Sequence, residues 1–240
     1  MAVDYKLKDS YNIEDLREIM RILRAPGGCP WDAEQNHESI KKNFIEETYE
    51  VIEAINKQDA ELLKEELGDV MLQVVFHAAM EEEKGVFNFD DVADGVCKKL
   101  IERHPHVFGD ISVSNTDEVL SNWDAIKRNS KKQKTTTQAM DSVPRELPAL
   151  MRAAKLQAKA AKAGAEVCSA ADYVSAKASA LSEKADEKTI GELLFAVVAA
   201  ARKNDIDPEE ALTLVSDRFL KNFAENEKGA DDNISAVLYD

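Results

Sequence analysis

Two amphipathic helices in immediate succession, each with acids along the edge of its apolar stripe, constrain this chain more than any other feature. The spacing predicts helices over about 38–57 and 60–83, the second capped by Asp59. A turn between Asn56 and Asp59 folds them back antiparallel. Ile45, Tyr49, Ile52 and Ile55 form the first stripe, and Leu63, Leu67, Val70, Val74 and Ala78 the second, both expected to face the core. Glu46, Glu50 and Glu53 border the first stripe, and Glu66, Asp69 and Gln73 the second. Residues three or four apart share a helical face, so Glu46, Glu47 and Glu50 project together, as do Glu66 and Asp69. An antiparallel hairpin then brings the two acidic faces to one place. Gly68, beside Asp69, reads as room for close backbone approach.

Carboxylates packed that closely repel one another unless a cation or extra protons compensate. An all-oxygen set without Cys or His suits a hard ion, and Mg²⁺ suits a site where a phosphorylated substrate adds further oxygens. The competing reading is plain solvation, since Glu is a strong helix former and acidic helix faces are commonly just wet. Against it stands the position of these acids beside the apolar stripes rather than opposite them.

The rest of the composition fits an all-helical protein. The 240 residues suffice for one large or two modest domains, and 44% hydrophobic with 32% charged residues is a globular balance. Gly and Pro are few, and Ala, Glu, Lys and Leu abundant. A net charge of −15 disfavours extended nucleic acid and anionic membranes as partners, while leaving small anions open if a metal intervenes. Cys29, Cys97 and Cys168 are odd in number and widely spaced, which fits a reducing, cytoplasmic setting. The N-terminus lacks a signal-peptide layout, and no apolar run approaches the roughly 20 residues that span a bilayer.

Along the chain, Asn12 caps a first helix whose Leu16, Ile19, Met20 and Leu23 face inward, with Asp15 three residues on. A turn-rich loop follows, Ala25 to Asp32, holding two prolines, two glycines and Trp31. Trp31 stacks on a base or plugs the bundle end, and the plug is favoured because buried Trp is common. Cys29 reads as a packed thiol and His77 as a core or edge residue. A helix near 91–104 carries Lys98, Lys99 and Arg103 and stops at His104-Pro105-His106, where Pro105 breaks helical ligand spacing and argues against a histidine metal site. On a helix over about 117–128, Trp123 and Lys127 share a face, able to meet one ligand or merely to pack and solvate.

The polar run Asn129 to Gln138 marks a linker, giving a first module at 1–130, a linker at 131–142 and a second module at 143–240. In the second, Val143 to Pro148 opens a helix to about Ala163, and Asp207-Pro208 caps a final helix with Ala211, Leu214, Val215 and Phe219 inward. Ile190-Gly191-Glu192-Leu193-Leu194 echoes Leu67-Gly68-Asp69-Val70-Met71, the mark of an internal repeat.

Four strings in this order, Cys29-Pro30-Trp31-Asp32, Glu46-Glu47-Thr48-Tyr49-Glu50, Glu66-Leu67-Gly68-Asp69 and His104-Pro105-His106-Val107-Phe108, resemble the MazG family of nucleoside triphosphate pyrophosphohydrolases. The Ser142 to Leu156 segment and the repeated second half resemble it too. The resemblance implies an all-α fold of tandem helical-bundle modules, usually dimeric, that splits nucleoside triphosphates into monophosphate and pyrophosphate with Mg²⁺. It implies Glu47, Glu50, Glu66 and Asp69 as metal ligands. Glu46, the remaining acid, is suited to orient or deprotonate the attacking water. Lys98, Arg103, Trp123 and Lys127 are candidates for phosphate and base contacts.

The second half departs from that pattern. Thr189 stands where the Glu of Glu-x-x-Asp belongs and Glu192 replaces its Asp, while Tyr173 to Ala180 carries no acid. The second module is therefore expected to keep the fold and lack the metal site. The alternative function is a non-catalytic nucleotide-sensing or partner-binding module, and a purely structural adaptor predicts no metal affinity at all.

Overall fold

The computed structural model describes residues 5–130, 135–165 and 170–229, so Cys168 lies outside the described residues. All regular structure among the described residues is helical, with no strand. The chain divides into two compact units, Met1–Trp123 and Asp124–Asp240. No helix among the described residues is long and apolar enough to cross a membrane.

The first unit is built on the hairpin of α3 (His37–Lys57) and α4 (Ala60–Glu83). Asp59 caps α4 by accepting from the backbone N–H groups of Glu61 and Leu62, and Gln58 adopts a left-handed conformation that ends α3. Against it lies α1 (Ile13–Arg24), whose Asn12–Asp15 capping box forms in full. Met20, Ile40, Val75, Phe76, Ala79 and Met80 make one buried cluster, joined by Ile13, Leu16, Leu72 and Phe89. Each fully buried large side chain contributes about 1.5–3 kcal/mol. Three arginines on α1 rivet this packing. Arg17 forks onto Asp90 at 2.8 and 2.9 Å, Arg21 holds Glu82 at 2.9 Å, and Arg24 holds Glu83 at 2.6 Å.

Arg24 also donates to the Asp32 carbonyl at 2.6 Å, fastening the loop to the short helix α2 (Pro30–Glu34). Gly28 is obligatory there, because a Cβ would stand 2.2 Å from the Ile22 carbonyl oxygen. Trp31 does not plug the bundle: 58% of it is exposed. Nor does Gly68 serve close approach, since a Cβ at that position meets open space. His77 pairs with His37 at 2.7 Å, and His37 with Glu81 at 2.6 Å, tying the start of α3 to α4. The unit continues through α5 (Phe89–Arg103), α6 (Pro105–Phe108) and α7 (Thr116–Ser130), which runs across the division between units.

The second unit contains α8 (Thr136–Asp141), α9 (Ala149–Lys162), α10 (Ala170–Glu183), α11 (Glu187–Lys203) and α12 (Pro208–Gly229). The stretch expected to be linker thus holds a capped helix, and its Ala139 is 1% exposed. Polarity misled the reading: Thr135 and Gln138 are spent on a capping box. The next helix begins at Ala149 rather than near Val143, because Pro144 and Pro148 interrupt it. Its first N–H groups are satisfied at a distance, with Glu209 of α12 accepting from Leu150 and Met151. Gln157 is buried and donates to the Phe195 carbonyl at 2.8 Å, joining α9 to α11.

Two apolar stripes expected to be inward lie exposed. On α12, Leu214, Val215 and Phe219 face out, with Ala211 half-buried. On α3, Ile45, Tyr49, Ile52 and Ile55 face out, as do Leu67 and Met71 on α4. The reason on α3 is rotation: the face carrying Ile40, Phe44, Glu47, Val51 and Ala54 is the one turned toward cover, so the stripe stands beside it.

Candidate metal site and its surroundings

Rotation of α3 determines what the hairpin can bind. Glu47 and Glu50 are half-buried on the covered face, and Glu66 and Asp69 are half-buried on α4 opposite them. One carboxylate oxygen from each of Glu47, Glu66 and Asp69 lies within 4.8 Å of the others. Glu50 is within hydrogen-bonding reach of both Glu47 and Glu66. Glu46 and Glu53, by contrast, are exposed. Glu53 pairs with Lys57 at 2.7 Å, while the charge of Glu46 still reaches Glu47.

The electrostatics follow from that crowding. Burial, then Glu50 and Asp69, push the Glu47 carboxyl above the usual glutamate range. Burial and then Glu50 do the same to Glu66. Both shifts come from burial and from carboxylates crowded together, a repulsion that a bound cation would relieve. Donor chemistry fits a divalent hard ion, because every group that the cluster offers is a carboxylate oxygen and three of them lie within 4.8 Å of one another.

The substrate candidates separate into distinct settings. Arg103 lies over the Trp123 ring at 5.4 Å, and His104 meets that ring edge-on at 4.9 Å. The Arg103 Nε is buried without a partner among the described residues. Lys98 is exposed and held by Asp94 at 2.6 Å. Lys127 lines a hollow of the second unit beside Arg128.

The hairpin of α10 and α11 shows what became of the repeated site. Across the first hairpin, Glu47 comes together with Asp69, and Glu50 with Glu66. The sequence echo sets Glu192 at the place of Asp69 and Thr189 at that of Glu66. Facing Glu192 at 2.7 Å is Lys177, so an ammonium stands where Glu47 would be; Ala180, three residues on, falls at the place of Glu50. Lys177 also sits over the Tyr173 ring at 5.5 Å. The Lys177 bond holds Glu192 below the usual glutamate range, opposite to the shift of Glu47. Sequence reading registered the missing acids and overlooked the lysine that replaces one. Antiparallel register would have exposed it.

An all-helical fold of tandem hairpin modules, one with a carboxylate cluster and one with that cluster cancelled, places this chain among the all-α nucleotide pyrophosphatases. The sequence model of the MazG nucleotide pyrophosphohydrolase domain matches residues 35–108, a span that holds all four clustered acids. A nucleoside triphosphate pyrophosphohydrolase/pyrophosphatase MazG of Thermotoga maritima is 39% identical over 218 residues, covering 90% of this chain and 85% of that protein. The chain belongs to the MazG family. The uncharacterized protein YabN of Bacillus subtilis is 45% identical over 230 residues, 92% of this chain and 47% of its own length. A nucleoside triphosphate pyrophosphohydrolase of Escherichia coli K12 is 48% identical over 120 residues, 50% of this chain and 46% of that protein. The chain thus spans about half the length of these last two relatives.

Proposed function

We propose that this chain hydrolyses nucleoside triphosphates to monophosphate and pyrophosphate, with Mg²⁺ held by Glu47, Glu50, Glu66 and Asp69 of the first module. The carboxylate cluster carries the reading, supported by the activity for which the Thermotoga and Escherichia relatives are named. When bound, Mg²⁺ supplies neutralisation of the charge that grows on phosphate oxygens. Glu46, exposed and beside the ligands rather than among them, orients the attacking water and accepts its proton. Arg103 brings an unpartnered Nε and Trp123 a stacking face, and Lys98 reaches phosphate once it leaves Asp94. Lys127 belongs to the second unit, where it lines a separate hollow, and has no part in this set. Stacking accepts every base, which favours broad, house-cleaning specificity. A panel of triphosphates with Mg²⁺ is expected to release pyrophosphate from several of them and none in excess chelator; tight binding without turnover would instead indicate a sensor.

The active form is a homodimer under this proposal. Ile45, Tyr49, Ile52 and Ile55 give α3 an exposed apolar strip of a kind that single-chain proteins rarely leave uncovered. Light scattering is expected to return twice the 26.7 kDa chain mass, and Ile45→Lys/Ile52→Lys to return one copy. A monomeric parent would remove the dimer from the proposal.

A further inference from the structure

A hollow of about 510 Å³ opens in the second unit between the end of α7, the connection after Ser142 and α9. That volume is in the range of small-molecule sites. Lys127 and Arg128 reach it from α7, and Lys155, Lys159 and Lys162 from α9, and among the described residues no carboxylate lines it. In a chain of net charge −15, five cations around one hollow run against the surrounding field. Its floor is apolar: Val143 is buried, and Pro144 and Leu147 lie alongside.

Helix dipoles explain part of this. Lys127, Arg128, Lys159 and Lys162 fall in last turns, where cations are favoured. They do not explain Lys155, about two turns before the end of α9, nor why two helix ends converge on one recess. Neither Arg128 nor Lys155 has an ion-pair partner among the described residues.

We infer that this hollow is a metal-independent binding site for a nucleoside polyphosphate, with phosphates between Arg128 and Lys155 and the base on the Val143–Leu147 floor. It shares no residue with the acidic cluster, and the inference does not depend on turnover there. Where the cluster needs a cation to accept a triphosphate, this recess supplies its own positive charge.

Calorimetry on the full chain in EDTA, with α,β-methylene-ATP and with inorganic tripolyphosphate, tests it. Saturable binding is expected in chelator, with tripolyphosphate about tenfold weaker because it leaves the floor uncovered. Arg128→Glu/Lys155→Glu is expected to weaken nucleotide binding at least tenfold, and Arg218→Glu/Lys221→Glu, an equal charge change elsewhere in the unit, to leave it within twofold. Glu47→Gln/Glu66→Gln is expected to retain chelator-resistant binding while losing Mg²⁺-dependent pyrophosphate release, so the two sites fail separately. Absence of saturable binding at millimolar nucleotide, or equal loss in both charge-reversed pairs, overturns the site. Equal affinity for tripolyphosphate overturns the role of the floor. Arg128 and Lys155 are exposed, so melting temperatures should hold; if charge reversal unfolds the chain, Arg128→Gln/Lys155→Gln carries the same comparison.

Discussion

Glu50→Gln is expected to reduce pyrophosphate release by about three orders of magnitude, equivalent to roughly 4 kcal/mol of transition-state stabilisation. Glu50 is within hydrogen-bonding reach of both Glu47 and Glu66, so an amide there removes a charged oxygen from beside the Glu47, Glu66 and Asp69 group. It also places an NH₂ group where a cation would sit. A metal at a phosphoryl centre is worth several kcal/mol, and loosening its hold forfeits most of that. Glu192→Gln is the matched control in the second hairpin. Its carboxylate already serves Lys177 at 2.7 Å, so its loss costs only a solvent-screened ion pair and leaves turnover within twofold. Steady-state rates of the two variants, measured side by side on one triphosphate, decide the matter. Loss with Glu192→Gln and none with Glu50→Gln would move catalysis to the second module.

That contrast was partly legible before any coordinates. Helix limits over 60–83 were readable because Asp59 caps one end and Gly85, in a left-handed conformation, closes the other. The acids were readable as a cluster because helical spacing alone puts Glu47 with Glu50 and Glu66 with Asp69. Which face they share was not. Periodicity marked Ile45, Tyr49, Ile52 and Ile55 as the buried side, yet the covered side of α3 is a third of a turn away, and the stripe is left bare within one copy. A hydrophobic pattern reports that a face is destined for cover, not whether the cover comes from the same chain. The basic hollow was hidden for another reason. Lys155, Lys159 and Lys162 share a helical face, but their meeting with Arg128 depends on a connection that sequence reading took for a linker. Trp31 shows the limit of residue averages, since tryptophan is usually covered and this one is not.

In the absence of metal, Glu47→Gln/Glu66→Gln is expected to melt above the parent at pH 7.5, with the gap closing as the solution is acidified toward pH 5. Both glutamates have pKa values raised above the ordinary 4.5 by burial and by their acidic neighbours. A raised acid contributes stability that is fully present below its unfolded value and is lost as pH climbs through the folded one. The parent therefore carries its repulsion at neutral pH and sheds it on protonation, whereas the amides never carry it. Adding Mg²⁺ reverses the order at pH 7.5. At a hundredfold excess over its dissociation constant, a ligand bound only by the folded state stabilises by about 2.7 kcal/mol, on the order of 10 °C for a unit of this size. The double variant lacks two of the ligands and should gain almost none of it. His77, held below its usual value by burial and by His37, pulls the other way on acidification, as do the lowered carboxylates Asp15, Glu38 and Glu81. Those groups are common to parent and variant, so the difference between the two melting curves isolates the cluster. The second hairpin supplies an internal standard: Lys177 neutralises Glu192 with a covalently attached cation, and Lys177→Met should alter the melting temperature equally with and without Mg²⁺. A parent whose melting temperature ignores Mg²⁺ at every pH would mean that these four carboxylates are a solvated face and not a metal site.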